Sequence, residues 1–376
     1  MKTQGKIKIL ETIRQGQVGG GETHVLDLVR KLDKNLFEVE VLSFTDGPMV
    51  DALNALGINT YVIETERPFD ISIWGTVSQF IADGGYHIIH AHGTRAASNV
   101  FYSAKKLNIP MIYTVHGWSF HNNQNMLVRK VREFSESFLT KRAATTITVS
   151  ESNKNDGIEK FNLKRAKVIY NGIDSKKFNP DADYTDIRAE FGIPEDKTLV
   201  GYLVRMTAQK DPFTMVRAIK KVSETNKNIM FLMVGNGELL DATKKLAAEL
   251  EVLNQIVFSN FRNDIPAILH AIDIYCLPSL WEGMPIGMLE AMAMGKACIA
   301  TSVDGTKELV NDGVNGLLIN TKDADMLAKH IINLHLHPEK RVALGNNAKD
   351  YISKNFSLTE MVSKIEKLYH SVFGSL

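Results

Sequence analysis

Short apolar runs alternate with amphipathic stretches along most of the chain. IKILETI (7–13), FEVEVLSF (37–44), TYVI (60–63), HIIHA (87–91), MIYTV (111–115), TTITV (145–149) and KVIY (167–170) are β-branched or aromatic, and Gly, Asn, Asp or Pro bound them. They predict strands. Segments with helical spacing lie between them, at 22–32, 71–82, 96–107 and 128–142. A second series follows: TLVGYLV (198–204), IMFLMV (229–234), QIVFS (255–259), DIYCLP (273–278), ACIA (297–300) and GLLI (316–319), with helices expected at 213–224 and 239–251. Asp211-Pro212 supplies a cap and a first-turn proline for the first of these helices. Strands that are apolar throughout belong to parallel sheets covered on both faces. The expected fold class is α/β, with two doubly wound parallel sheets.

Between the two series lies NGIDSKKFNPDADYTDIRAEFGIPED (171–196), rich in Asn, Asp and Pro, which reads as a linker. After Asp323 the pattern is wholly helical, at 324–336, 339–354 and 358–373. The last of these helices follows a complete domain and is expected to cross back onto the first. The first domain is therefore expected at 1–175 together with 358–376, and the second at 176–357. A ligand is expected in the cleft between them, at strand C-terminal ends.

Composition narrows the class. The chain has 376 residues, 44% hydrophobic and 23% charged, with a formal net charge of +1. That balance speaks against nucleic acid as a partner. Cys276 and Cys298 both sit in apolar surroundings and read as buried thiols, so a disulfide scaffold is excluded. No apolar run approaches the ~20 residues of a membrane span, and the first residues do not read as a signal peptide, so a cytoplasmic protein is expected. Residues 101–170 carry 12 Lys+Arg against 5 Asp+Glu. Arg129, Lys130, Arg132, Lys141 and Arg142 cluster there around Val128, Val131, Phe134, Phe138 and Leu139. The stretch is either a solvated basic face or a peripheral contact with anionic lipid on the inner face of a membrane.

Several motifs carry candidate chemistry. Gly19-Gly20-Gly21-Glu22 opens a helix after the first strand, where backbone can approach a ligand and the helix N-terminus favours an anion; a plain tight turn is the alternative. No Gly-Lys-Ser/Thr follows, and neither this segment nor Gly235-Asn236-Gly237 has the G-x-G-x-x-G spacing of a dehydrogenase. Arg205 and Lys210, just after a strand, can grip a diphosphate, or form a surface pair. In WEGMPIGMLE, Pro285 and Gly287 suggest a loop entering a helix near Ile286, with Glu282 before the helix and Glu290 in its first turns. Such carboxylates suit vicinal hydroxyls, or simply cap a helix. His90, His92 and His116 stand at adjacent strand ends and could line a cleft. No HExxH or cysteine cluster accompanies them, so zinc is the weaker reading and His116 the best site candidate.

At these residues the chain resembles the retaining, nucleotide-sugar-dependent glycosyltransferases of the GT-B fold, family 4. The Glu282–Glu290 block carries the resemblance, continuing as AMAMGKACIATSVDGTKELVNDGVNGLLI. GGGE (19–22), VHGW (115–118), VIYNGID (168–174), Arg205 with Lys210, VGNGE (234–238) and LPSLWEG (277–283) support it. The resemblance implies two Rossmann-like domains, the first for the acceptor and the second for a nucleoside-diphosphate sugar. It implies that Arg205 and Lys210 hold the diphosphate, Glu290 the ribose, and Glu282 the sugar hydroxyls with help from backbone at Met284, Pro285, Ile286 and Gly287. His116 would lie near the reacting sugar, Gly20 and Gly21 near phosphates or acceptor, and Phe261 and Arg262 beside the base. Asp304-Gly305 replaces a frequent double glycine, and Asn236 a frequent aspartate.

No enzymic nucleophile presents itself, so the expected chemistry is front-face attack with retention, the departing phosphate taking the acceptor's proton. Arg205 and Lys210 would make a metal unnecessary, and no cofactor is expected. UDP is the first expectation for the nucleotide and GDP its rival, with a saccharide or lipid-linked acceptor. A nucleotide-sugar epimerase and a non-catalytic sugar-nucleotide scaffold are the alternatives.

Overall fold

The structure, a computed structural model, describes residues 5–17, 19–121 and 124–375. The chain divides into two compact units, Met1–Gly172 with Leu358–Leu376, and Ile173–Ser357. The first holds β1 (Ile7–Ile13), β2 (Phe37–Ser43), β3 (Thr60–Val62), β4 (Ile88–His92), β5 (Met111–Val115), β6 (Thr145–Thr148) and β7 (Ala166–Val168). They form one sheet in the order β3-β2-β1-β4-β5-β6-β7, with every pair parallel. β4, β5 and β6 are buried at every position, as a sheet covered on both faces requires.

One of those faces is covered by the C-terminal helix Leu358–Phe373. Its Leu358, Met361, Val362, Ile365, Leu368, Tyr369 and Val372 pack with Ile7, Ile9, Ile88 and Ile112 of the sheet. The spacing is that of one helical stripe, and burying such a stripe contributes on the order of 10 kcal/mol before entropy is counted. The tail is thus integral to the first unit, as expected.

The second unit holds β8 (Thr198–Leu203), β9 (Ile229–Val234), β10 (Ile256–Ser259), β11 (Ile274–Leu277), β12 (Ala297–Thr301) and β13 (Leu317–Ile319), in the order β10-β9-β8-β11-β12-β13. All pairs are again parallel. In each sheet the strand order reverses beside the first strand, between β1 and β4 and between β8 and β11. Parallel sheets open a crevice at the carboxyl ends of such a pair.

One expectation is corrected, and one helix is not foreseen. Most of 171–196 is not a linker. Ile173 N–H donates to Phe356 O (2.8 Å), and Phe178, Ile187 and Ile193 are buried in the second unit. Arg188 donates to Asp273 Oδ2 (2.9 Å) and to the carbonyls of Ala271, Pro194 and Lys197. Single apolar anchors in a polar sequence hold this segment down, a signal that periodicity does not detect. The helix Glu151–Phe161 (ESNKNDGIEKF) is likewise not anticipated by the apolar pattern. It is capped by Ser150 and lies close against Trp118 and Leu163 through Gly157. Among the described residues, no helix is long and apolar enough to cross a membrane.

Candidate active site

In the second unit, cations and carboxylates gather where β8 and β11 end. Backbone fixes the Arg205 loop: Val204 N–H donates to Val234 O (3.0 Å), Met206 N–H to Asn236 O (2.9 Å), and Leu239 N–H to Met206 O (3.0 Å). Gly235 and Gly237 have φ of +132° and +158°, and a Cβ on either would overlap the carbonyl oxygens of Val204 and Met206. These glycines therefore serve close backbone approach. They leave the Arg205 side chain exposed, with no ion-pair partner among the described residues. Lys210 is held from both ends: Tyr202 Oη donates to its carbonyl (2.8 Å), and its Nζ donates to Glu282 Oε1 (2.5 Å).

The Glu282 loop is fastened in turn. Leu280 N–H donates to Gln209 O (2.8 Å), Gln209 Nε2 to Trp281 O (2.9 Å), and Glu282 N–H to Asp304 Oδ2 (2.9 Å). Burial pushes the Asp304 carboxyl above the usual range, against the opposing hydrogen bond from the Glu282 N–H. The helix Ile286–Ala293 then starts four residues past Glu282, with Pro285 as N-cap and Glu290 half-buried. An exposed cation, a paired lysine, carboxylates and a helix N-terminus are groups whose chemistry suits an anion bearing hydroxyls.

The first unit carries a buried histidine cluster at the ends of β1, β4 and β5. Glu11 of β1 is wholly buried. Its Oε2 accepts from His92 Nε2 (2.7 Å), and its Oε1 from Tyr369 Oη (2.6 Å). His92 Nδ1 lies 3.0 Å from His116 Nε2, and His90 lies between Tyr369 Oη (2.6 Å) and Thr114 Oγ1 (2.7 Å). His24 Nδ1 meets Asn171 Oδ1 at 3.0 Å, and its ring centroid is 4.9 Å from that of His116. Burial, reinforced by the neighbouring imidazoles, lowers the pKa of His24 to about 3 and that of His92 to about 4. Burial likewise holds His116 well below the usual histidine range, with His24, His92, His90 and Arg14 adding to it. For Glu11 burial acts upward, but His90 and His92 outweigh it and keep the carboxyl below its ordinary range. Ring nitrogens of His24, His92 and His116 lie within 4.8 Å of one another, as do donor atoms of Glu11, His90 and His92. Most of those atoms are engaged in hydrogen bonds within the cluster; His24 Nε2 and His116 Nδ1 are buried without a partner.

Two family models match the chain: "Glycosyltransferase Family 4" over residues 18–177, and "Glycosyl transferases group 1" over residues 183–351. The chain belongs to glycosyltransferase family 4. It is 27% identical to the UDP-Gal:alpha-D-GlcNAc-diphosphoundecaprenol alpha-1,3-galactosyltransferase of Escherichia coli, over 98% of this chain and 97% of that one. Among solved structures, Anabaena HepE in complex with UDP-glucose superposes with a TM-score of 0.86 at 23% identity, covering 97% and 99% of the two chains. The sucrose-phosphate synthase of Thermosynechococcus elongatus superposes with a TM-score of 0.84 at 20% identity, covering 98% and 100%. The architecture is the GT-B fold, with its two Rossmann-like parallel sheets, and the protein catalyses glycosyl transfer.

Within this glycosyltransferase, Arg205, Lys210, Glu282, Met284, Pro285, Ile286, Gly287 and Glu290 belong to one contiguous region of the second unit. Gly287 has no room for a side chain, since a Cβ would stand 2.9 Å from Tyr275 Oη. The Arg262 guanidinium is shared between Asp264 (2.5 Å) and Glu190, and these bonds raise its pKa further. Phe261 beside it is exposed. In the first unit, Gly20 and Gly21 begin the helix Gly20–Lys31, and a Cβ on Gly21 would meet His116 Cδ2 at 3.3 Å. Sequence reasoning missed Glu11, His24 and Tyr369, and gave Asn171 and Asp304 no role in a site. A readable signal existed for Glu11, a lone carboxylate near the middle of an otherwise buried strand.

Proposed function

We propose that this enzyme moves a sugar from a nucleoside-diphosphate sugar, a UDP-sugar first, to a saccharide or lipid-linked acceptor, with retention and without a metal or cofactor. The second unit takes the donor and the first the acceptor. The observation that carries this reading is the grouping of Arg205, Lys210 with Glu282, and the N-terminus of the helix Ile286–Ala293 at the ends of β8 and β11. The Escherichia coli relative's name gives a UDP-Gal donor and a diphosphoundecaprenol acceptor, and the HepE structure holds UDP-glucose.

The chemistry follows from charge. As the anomeric carbon–oxygen bond breaks, its electron pair passes to the diphosphate and the sugar becomes oxocarbenium-like. Arg205, Lys210 and the helix N-terminus stabilise the new negative charge where it develops. The acceptor hydroxyl attacks from the face the phosphate leaves, and the leaving phosphate oxygen takes its proton. Glu282 and Glu290 accept hydrogen bonds from sugar and ribose hydroxyls, His116 contacts the transferring sugar, and Gly20 and Gly21 lie against phosphate or acceptor. Phe261 and Arg262 flank the base.

The lipid-linked option has support in the helix Met126–Arg142. Met126, Leu127, Val128, Val131 and Phe134 are all exposed, from 45% to 75%, and Leu127, Val131 and Phe134 fall on one face. Exposed Lys130 and Arg132 lie among them. This face is proposed to rest on the anionic inner surface of the cytoplasmic membrane.

Thermal stabilisation by a panel of UDP, GDP and their sugars, with EDTA present, tests the donor reading. UDP compounds should raise the midpoint in EDTA, because a ligand that binds only the folded state stabilises it. An Arg205→Ala, Lys210→Ala double variant should lose that shift and transfer activity together; full transfer by the variant would refute the phosphate assignment. Anionic vesicles, and not neutral ones, should sediment the protein, and a Leu127→Gln, Phe134→Gln variant should stay in the supernatant.

A further inference from the structure

We propose that Glu11, His92 and His116 form a relay that fixes the tautomer of His116, holding its proton on Nε2 and presenting Nδ1 as a bare lone pair to a sugar hydroxyl. The sugar contact rests on the function proposed above; the relay itself rests on geometry inside the first unit. An ionised carboxylate only accepts hydrogen bonds, so the His92 nitrogen 2.7 Å from Glu11 Oε2 must carry a proton. That nitrogen is Nε2, and a neutral imidazole carries only one proton. His92 Nδ1 is therefore a lone pair, and the His116 Nε2 facing it at 3.0 Å is the donor. His116 is left with a bare Nδ1, and this buried atom has no partner among the described residues.

The surroundings give the pocket one character. His24 donates from Nδ1 to Asn171 Oδ1, so its Nε2 is bare as well, and it too is buried without a partner. Two unsatisfied acceptors on neighbouring rings call for hydroxyl donors, and they reject the diphosphate of a nucleotide sugar, whose ionised diester oxygens only accept. The first unit's histidines thus select a different part of the substrate from Arg205 and Lys210. Glu11 and His92 are positioning residues; they act on the sugar only through His116. Tyr369, donating to Glu11 Oε1 from the C-terminal helix, holds the carboxylate in place without belonging to the relay.

Nitrogen-15 NMR of the histidine side chains in the full-length protein reads the relay directly. In the wild type the His116 proton should be found on Nε2. In Glu11→Leu, which removes the acceptor that keeps the His92 proton on Nε2, the His116 proton should no longer be confined to Nε2. Turnover of UDP-galactose and UDP-glucose by slow hydrolysis should fall about 10- to 100-fold in that variant, mainly in kcat. Tyr369→Phe, a structural control, should lower the unfolding midpoint while keeping the tautomer and changing the rate less than threefold.

A wild-type proton on His116 Nδ1, an unchanged tautomer in Glu11→Leu, or stoichiometric zinc in the isolated protein would overturn the relay; the wild-type spectrum decides even if Glu11→Leu does not fold. His116→Ala separates the two layers. Full hydrolysis by that variant, with the tautomer as described, removes the sugar contact and leaves the relay. Lost hydrolysis with an unchanged tautomer in Glu11→Leu removes the relay and leaves the sugar contact.

Discussion

Acidification from pH 7 to pH 5 should destabilise the first unit by at least about 3–4 kcal/mol, mostly above the range in which its carboxylates titrate. His24 and His92 titrate near 3 and 4 in the folded chain, against an ordinary 6.5. Between those limits the unfolded chain binds a proton on each ring and the folded chain does not. Stability therefore rises with pH in this window and is lost as pH falls below 6.5. His24 and His92 each lose roughly 2 kcal/mol between pH 7 and pH 5, and His116 adds a loss of the same sign. Glu11 acts in a separate, lower window. Its folded pKa is depressed, so its contribution is complete above its unfolded value of 4.5 and fades only below that. Among the described residues, the groups acting on these rings are Glu11, Arg14, His90 and Asn171 besides the rings themselves, and Glu11 is the one carboxylate among them to stabilise an imidazolium.

Urea unfolding followed by tryptophan fluorescence measures this effect in the right unit. The chain has three tryptophans; Trp74 and Trp118 lie in the first unit and Trp281 in the second. A Trp281→Phe background therefore isolates the first. The expected loss corresponds to a fall in midpoint temperature of around 10 °C for a unit of this size. His24→Gln should reduce the pH slope by about 1.4 kcal/mol per unit, one proton's worth. A change smaller than ~1 kcal/mol between pH 7 and pH 5 would refute the claim that these rings are buried neutral.

Three further outcomes follow from the same geometry. Gly21→Ala places a methyl 3.3 Å from His116 Cδ2, so the ring must shift by a few tenths of an ångström; sugar turnover should fall roughly tenfold while the unfolding midpoint stays within about 2 °C. Gly345→Ala, in the helix Pro338–Asn355, overlaps the Gly295 carbonyl; it should cost about 2–4 kcal/mol in the second unit, read from Trp281 fluorescence, and an unchanged midpoint would contradict the close packing. Glu282→Gln removes the charge opposite Lys210 and weakens the proposed sugar contact; calorimetry should find UDP affinity within about threefold of wild type, and kinetics about a 100-fold loss in sugar turnover.

The two candidate sites are not equally legible in the sequence, and the reason is chain separation. In the second unit the chemistry is nearly local. Glu282, Met284, Pro285, Ile286, Gly287 and Glu290 fall within nine residues, and Pro285 and Gly287 by themselves mark the loop that enters a helix at Ile286. Burial of the strands on both faces is legible for the same reason, because apolar runs such as IIHAH and MIYTV cannot face water on either side. In the first unit, Glu11, His24, His92, His116, Asn171 and Tyr369 come from six separate segments spanning most of the chain. Each looks ordinary alone: Tyr369 completes an apolar stripe, His24 sits in an amphipathic helix, and Glu11 is one charged residue in a strand. Only the β1–β4 and β4–β5 register, which sets Glu11 beside His90 and His92 beside Thr114, turns them into a network. The C-terminal helix supplies Tyr369 from 358 residues away. A helix whose apolar stripe sends it back to the first unit thus also anchors that unit's buried carboxylate. This couples the stability of the tail to the protonation of the histidines.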